Sequence, residues 1–475
     1  MTADGTTKSP RGGTVRSRVR GRYAARGHTG DARGADGVTA LLSTDRRRLV
    51  LVLLLAVTVG VFTATVPLLR DWFDLRVYYG TVDAWMHHGG RIYDYRVPGT
   101  TYGFTYPPFA ALGMLPMALV GLRTAIVLAL LLNLAALAVV VGFLVGPALR
   151  RHGWFGLALT ACLLPLFEPL RDTFSFGQVN LVLLALVLTD ARLLARGHGR
   201  WAGVGIGLAA AIKLTPALFI ALLLLGRRRR AAGVATAVAG AATGLAAWAA
   251  PDASRFYWTD ALWDTGRVGR LAYVSNQSVQ GVLARLAAPG EPSRALWATA
   301  VLLVLCVWAW RTSRALAADD WAAAFALTGL AACLVSPITW VHHLVWLLPS
   351  FAVLLRHRRL RIAAALYGVL CSSVVWLWFD DASGLDGFLG SNIYTWITLG
   401  LLLWLPAGEA VLPGTGRAAA PVPPAVRARR PAERHPGGRR ARVTRRHREA
   451  ADPASPSGAD PNDVPQVRRA APGPP

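Results

Sequence analysis

Residues 71–109, DWFDLRVYYGTVDAWMHHGGRIYDYRVPGTTYGFTYPPF, lie between two long apolar blocks, and their reading decides how the chain is organised. They carry carboxylates, histidines, arginines, eight Tyr or Trp rings and a closing Tyr106-Pro107-Pro108. Connections longer than about 12–15 residues are as a rule functional or disordered. A stretch this aromatic has too much apolar surface to be disordered. It reads as a candidate active-site loop held between membrane segments.

The rest of the composition supports that setting. The chain has 475 residues, 54% of them hydrophobic, with 17 Trp and a mean hydropathy of +0.40, which describes one membrane domain with tails. Residues 1–48 hold 11 Lys or Arg against 4 Asp, and residues 411–475 hold 13 Arg against 5 acids. More than half of the net charge of +25 is therefore in tails rich in Gly, Pro, Ser and Arg that cannot bury a core. The expected organisation is a basic disordered cytoplasmic tail over 1–48, a catalytic membrane domain over 49–411 and a Pro/Arg-rich disordered cytoplasmic tail over 412–475. No zinc spacing, basic-aromatic module or helix-turn-helix pattern accompanies the charge, so no nucleic-acid partner is expected. The arginines read as topology signals with affinity for anionic lipid heads. Cys162, Cys306, Cys333 and Cys371 fall in apolar runs without CxxC or Cys/His spacing, so neither disulfides nor a metal site is implied. The first apolar stretch, 49–69, reads as a signal anchor that is retained.

A span needs about 20 apolar residues. The expected spans are 49–69, 124–147, 153–169, 178–195, 231–250, 295–311, 319–336, 340–355, 360–379 and 393–411. Residues 108–120 are short and interrupted by Pro116, and 201–226 are interrupted by Lys213 and Pro216. All the Arg clusters between spans face the cytoplasm together only if 108–120 re-enters without crossing and 201–226 is a hairpin of two short, broken helices. The result is an all-α integral membrane bundle of about twelve transmembrane segments, with both termini cytoplasmic and a long outer first loop. It gathers on the outer face that first loop, 168–180, the apex at Lys213, 251–292, the 336–343 corner and 380–392.

Several polar residues stand out against this background. Of 51 basic side chains only Lys8 and Lys213 are lysines. An ionisable group in the apolar region costs about 2.5–3.5 kcal/mol or more, and a compact ammonium at a broken helix suits a phosphate. The plainer reading is a lysine snorkelling from a helix end. Arg171 and Gln178 are aimed by a compact turn at Gly177, whereas Asp172 is as well explained as loop polarity. His342 and His343 open a span after Ser336-Pro337, and adjacent histidines on a helix point about 100° apart, so one of them faces a site. Asp71, Asp74, Asp83 and Asp94 compete for a catalytic role. Asp74 sits among Trp72, Phe73, Leu75, Val77, Tyr78 and Tyr79, where partial desolvation would raise its pKa toward use as a general base.

The stretches FDLRVYYG (73–80), FTYPPFAAL (104–112), EPLRDTFSFGQVN (168–180), GLAAAIKLTPAL (207–218), SNQSVQG (275–281) and SPITWVHHLVWLLP (336–349) occur in this order. Together they resemble the actinobacterial α-1,2-mannosyltransferases of the GT-C superfamily, glycosyltransferase family 87, that use polyprenyl-phosphate mannose. The resemblance runs from about residue 49 to 411. It implies a multi-span helical bundle in the cell membrane with a catalytic carboxylate in the first outer loop, matching Asp74, and an active site on the outer face. It implies a polyprenyl-phosphate mannose donor, a glycolipid or glycan acceptor, transfer with inversion and no cofactor or metal. Lys213 and Arg171, with His342 or His343, would face the donor phosphate. Gln178, Asn180, Asn276, Gln277 and Tyr106 would bind substrate. An arabinosyl transferase of the same superfamily would share Asp74 and Lys213. A transporter would also use broken helices, but no inverted repeat is evident.

Overall fold

The computed structural model describes residues 44–65, 71–197 and 199–408. The expectations for 1–43, for the end of the first span at 66–69 and for the tail beyond 408 lie outside the described residues. Among the described residues the architecture is all helical, with a single isolated antiparallel bridge between Arg96 and Gly103. Four helices are long and apolar enough to cross a bilayer: Asp45–Thr65, Leu122–Leu144, Arg229–Ala249 and Arg294–Ala317. A further crossing length is made by Gly146–Leu166 with Glu168–Phe176, a pair bent by 72°. The four long helices bury only 6% to 28% of their apolar windows, so most of that surface faces outward, as lipid allows and water does not.

The centre of the bundle is the Trp321–Val335 helix, in which 12 of 15 residues are buried. Its Ala323, Ala324, Ala326, Gly329, Ala331 and Ala332 leave room for close neighbours, the device that membrane helices use in place of a hydrophobic driving force. Its Thr328 hydroxyl accepts from Trp308 Nε1 at 3.0 Å, tying it to the Arg294–Ala317 helix. At Gly329 a side chain would meet the Trp346 carbonyl, so the 3₁₀ segment Val341–Leu347 lies directly against it.

Several expected spans are shorter or more broken than their apolar lengths suggest. A 15-residue helix rises about 23 Å, less than the roughly 30 Å hydrocarbon core. Trp321–Val335 stops at Ser336-Pro337, the 340–355 segment is the 3₁₀ piece followed by the Leu348–Arg356 helix, and 360–379 divides at Ser373. Prolines account for most of the breaks, because each removes a backbone donor and obstructs the turn before it. Pro165 lies in a 3₁₀ turn before Glu168–Phe176, and Pro216 in one after Lys213. Backbone freed at membrane depth is tolerated where it lines a cavity or finds partners inside the protein. Here the breaks at Gly177-Gln178, Lys213 and Ser336-Pro337 all open on one cavity.

The first part of the expected loop is a helix, Phe73–His87. Leu75, Tyr78 and Val82 recur at helical spacing and are buried, and this periodicity outweighs the aromatic composition that suggested a loop. Asp71 and Trp72, both at positive φ, form the corner before it. Residues 108–119 form a short helix and a 3₁₀ turn packed on its flank, and His87 Nε2 meets the Ala118 carbonyl there at 3.0 Å.

One glycine fixes how this helix meets its neighbour. Gly177 ends Glu168–Phe176 with φ +71, and the following Gln178 N–H returns to Thr173 O at 2.9 Å, a left-handed helix cap. A Cβ at Gly177 would lie 2.6 Å from Leu75 Cβ. Gly177→Ala is expected to destabilise the fold by about 2–4 kcal/mol, combining left-handed strain with overpacking. Thermal unfolding of the detergent-solubilised protein checks this, and an unchanged midpoint would refute it.

Candidate active site

The cavity has a volume of about 1000 Å³ and is lined from five directions. The Phe73–His87 helix contributes Phe73, Asp74 and Tyr78, and the following irregular stretch contributes Tyr102 and Tyr106. The helix breaks contribute Gln178 and Lys213, the segment after residue 250 contributes Arg267 and Arg270, and the 336–343 corner contributes Trp340, His342 and His343.

A continuous run of hydrogen bonds joins these segments. Gln178 Nε2 donates to Asp74 Oδ2 at 2.6 Å. The Gln178 Oε1 accepts from the Tyr106 hydroxyl at 2.9 Å and from Asn180 Nδ2 at 3.2 Å. Tyr78 donates in turn to the Tyr106 hydroxyl at 3.0 Å. On the other side of Asn180, its Oδ1 accepts from Lys213 Nζ at 3.1 Å. Lys213 Nζ also lies 2.7 Å from His343 Nε2 and 5.1 Å from the centre of the Tyr106 ring. The His343 ring is held by the Trp340 N–H, which donates to Nδ1 at 3.1 Å. Gln178 and Asn180 are 3% and 1% exposed, so their amides cannot rotate freely and the spacing of the two charges is fixed.

Asp74 is half-buried, at the first turn of its helix and open to the cavity. Loss of water raises its carboxyl from the usual range to about 6, against the lowering effects of the Gln178 hydrogen bond and the Lys213 charge. Burial also pushes the Tyr106 and Tyr78 phenols up, and the nearby Asp74 charge adds to this. Both therefore remain hydroxyl donors at neutral pH.

The expected site residues divide into two groups. Asp74, Tyr106, Gln178, Lys213, His342 and His343 line the cavity, with Asn180 directly behind Gln178 and Lys213. His343 is the histidine that meets Lys213, while His342 packs edge-on against Phe176 and uses its carbonyl to accept from Thr173. Arg171, Asn276 and Gln277 do not reach the cavity. The Arg171 guanidinium donates to Leu166 O and Ser373 Oγ and lies 4.8 Å from the Phe62 ring. Asn276 is engaged by Leu271 O, Pro337 O and the Thr339 N–H. Gln277 is engaged by Val274 O, Ser391 O and Thr395. These amides bind backbone that the helix breaks leave open, which is why polar residues are buried there.

Some lining residues went unnoticed in the sequence. Arg267 reaches the wall from a stretch without helical or apolar pattern. Its Cζ lies 5.1 Å from the Phe256 ring, its Nη2 donates to Tyr93 O at 3.4 Å, and its Nε has no partner. Trp376 is held at the wall by Glu168, whose Oε1 accepts from its Nε1 at 2.6 Å and whose Oε2 takes the Tyr394 hydroxyl at 2.5 Å. Nothing in the sequence pairs Glu168 with a residue 208 positions away. Among the described residues no three His, Cys, Asp or Glu side chains group as metal ligands.

A family model described as Glycosyltransferase family 87 matches residues 104–337. A Mycobacterium tuberculosis protein named polyprenol-phosphate-mannose-dependent alpha-(1-2)-phosphatidylinositol mannoside mannosyltransferase is 35% identical over 312 residues, 62% of this chain and 73% of that protein. The chain belongs to glycosyltransferase family 87. It is thus a glycosyltransferase with membrane-spanning helices. A second M. tuberculosis family member, named for a phosphatidylinositol pentamannoside, is 35% identical over 311 residues, 63% of this chain and 70% of that protein. A Mycolicibacterium smegmatis mannosyltransferase is 34% identical over 318 residues, 61% and 68% of the two chains. No solved structure matches. The family model includes Tyr106, Gln178, Asn180 and Lys213; Asp74 and the two histidines lie outside its limits.

The Gln178 bond to Asp74 generates a test. The amide favours the charged carboxylate, so removing it raises the Asp74 pKa further. If Asp74 acts as a base, transfer by the intact enzyme declines as pH falls through about 6. In Gln178→Leu that acid limb is expected to move to higher pH, as measured by kcat/KM against pH. An unshifted limb would separate Gln178 from the titration of Asp74.

Proposed function

We propose that this enzyme transfers mannose from polyprenyl-phosphate mannose to a mannose hydroxyl of a lipid-linked glycan, a phosphatidylinositol mannoside or related mannan, forming an α-1,2 linkage with inversion. The observation that carries the reading is the fixed pairing of one carboxylate, Asp74, with one ammonium, Lys213, across a single cavity through Gln178 and Asn180. The names of the family members supply the sugar and the donor class.

The chemistry follows from the two charges. The acceptor hydroxyl gives its proton to Asp74 as its oxygen bonds to the anomeric carbon. The bond from that carbon to the phosphate oxygen breaks on the opposite face, turning a β-linked donor into an α-linked product. Charge accumulates on the departing phosphate, and fixed cations there stabilise the transition state more than the ground state. Lys213 is the first such cation. Arg267, on the wall and carrying an unpartnered Nε, takes the second place that the sequence gave to Arg171. His343 holds the ammonium in position, and Trp340, Tyr273 and Trp376 offer ring faces to a sugar.

In the arrangement we infer, residues 49–411 form the catalytic domain, both termini are cytoplasmic and the cavity opens on the outer side of the membrane. Twelve crossings are reached by pairing the short, broken helices with the longer ones. The placement of the Arg clusters between spans supports this orientation.

Asp74→Asn tests the reading directly, because the amide keeps the shape and loses the base. With membranes supplied labelled polyprenyl-phosphate mannose and a phosphatidylinositol mannoside, transfer is expected to fall by about 10²–10⁴-fold at unchanged protein level. Retained activity would remove Asp74 from the mechanism. Transfer from an arabinose donor and none from mannose would reassign the sugar.

A further inference from the structure

We propose that a second cavity, lined by Arg200, Arg227, Arg228, Arg229 and Arg230, binds the phosphate of an anionic phospholipid headgroup. It measures about 620 Å³ and shares no lining residue with the catalytic cavity. Arginines between spans can act as topology signals in any geometry, so charge alone does not make the case. The geometry does.

Five arginines line one cavity and no carboxylate does. Among the described residues their guanidinium groups make no ion pair and no hydrogen bond. Two of them make cation–π contacts: Arg228 Cζ lies 5.1 Å from the Trp321 ring and Arg200 Cζ 5.7 Å from the Trp201 ring. Two other arginines of the bundle, Arg356 and Arg285, are held by fixed partners. Arg356 Nη2 reaches both oxygens of Asp320 at 2.7 and 2.6 Å, and Arg285 binds Asn392 Oδ1 and the Tyr273 carbonyl.

The backbone adds to the same potential. The Arg229–Ala249 helix begins with Arg228 as its N-cap, without a side-chain cap and without an acid in its first turn. Cations at a helix N-terminus are the reverse of the stabilising pattern, and an anion at that point would relieve the opposition. Arg227 is held at φ 55 by a tight corner in which its N–H returns to Leu224 O at 3.0 Å and that of Arg228 to Leu223 O at 2.8 Å. This corner keeps like charges together.

A planar guanidinium fork matches phosphate oxygens. The adjoining surface identifies a lipid rather than a soluble phosphate as the source. Trp201, Leu224 and Leu225, beside the arginines in sequence, are 59%, 56% and 40% exposed and offer apolar surface to acyl chains. The Leu218–Leu225 helix links the two cavities: Leu218 and Ala221 line the catalytic one, and Arg227 follows its other end. A bound headgroup would therefore steady the element next to Lys213. This inference does not depend on which sugar is transferred.

The test uses the full chain in nanodiscs of phosphatidylcholine with graded phosphatidylglycerol, with retained lipid identified by native mass spectrometry. Phosphatidylglycerol is expected to be retained about tenfold better than phosphatidylcholine, and the triple variant R227Q/R229Q/R230Q is expected to lose that preference. Equal retention of both lipids by the intact protein, or an unchanged preference in the variant, would overturn the proposal. So would inorganic phosphate that abolishes the lipid preference at millimolar concentration, since the source would then be free phosphate. Should the variant fail to accumulate, arginine modification by phenylglyoxal gives a second reading on the intact protein. Slower reaction at 227–230 in anionic than in neutral nanodiscs is expected, and equal rates would refute the site.

Discussion

An ammonium placed in an apolar bundle must be given partners, and the partners of Lys213 come from separate parts of the chain. Asn180 Oδ1 approaches from one helix start, His343 Nε2 from a 3₁₀ segment and the face of Tyr106 from the stretch after the Phe73–His87 helix. No single helix could supply all three, because side chains on one helix face are spaced along a line and cannot surround a point. Satisfying this one charge therefore obliges several helices to break at the same level. The interruptions at Gly177, Lys213 and Ser336-Pro337 meet that requirement, and the cavity is the space they leave.

The closeness of these breaks depends in turn on an apolar feature. Trp321–Val335 is buried nearly all round, so its small residues set the distance at which its neighbours pack. The 3₁₀ segment that carries His342 and His343 lies against Gly329, where even one methyl group would press on the Trp346 carbonyl. Electrostatics thus specifies which groups must meet, and the small side chains of the central helix let them approach. Polar groups behind the wall absorb what remains: Asn276 and Gln277 donate to backbone carbonyls of Pro337 and Ser391, and Glu168 accepts from the Trp376 ring donor.

This division explains what was legible in the sequence. Lys213 was conspicuous because lysine is rare in an arginine-rich chain, and Asp74 because a carboxylate among rings is rare anywhere. Long apolar helices were legible from length alone, so Leu122–Leu144, Arg229–Ala249 and Arg294–Ala317 agree with expectation. Polar residues near a site were harder to sort, since the same short motif contains both kinds. Gln178 faces the cavity while Arg171, seven residues earlier, turns toward Ser373 and Phe62. Which of them does so depends on the left-handed turn at Gly177 and on the Ser373 elbow two hundred residues away, and periodicity carries neither. The Phe73–His87 helix was misread for a related reason: its aromatic content obscured the spacing of Leu75, Tyr78 and Val82.

The proposed reaction also accounts for why the carboxylate and the cation are linked through amides instead of a direct ion pair. Were Asp74 bonded to Lys213, each would satisfy the other, leaving a weak base and a neutralised phosphate ligand. Gln178 and Asn180 interpose two neutral groups, each fixed by burial, so that Asp74 is bound to one amide and Lys213 to the other and to His343, while both still line the cavity. The residual attraction between them lowers the Asp74 pKa only in part, and the carboxyl stays near 6, where it is mostly ionised at neutral pH yet able to take a proton. Separation by amides thus preserves the charge state that a base opposite a leaving phosphate requires.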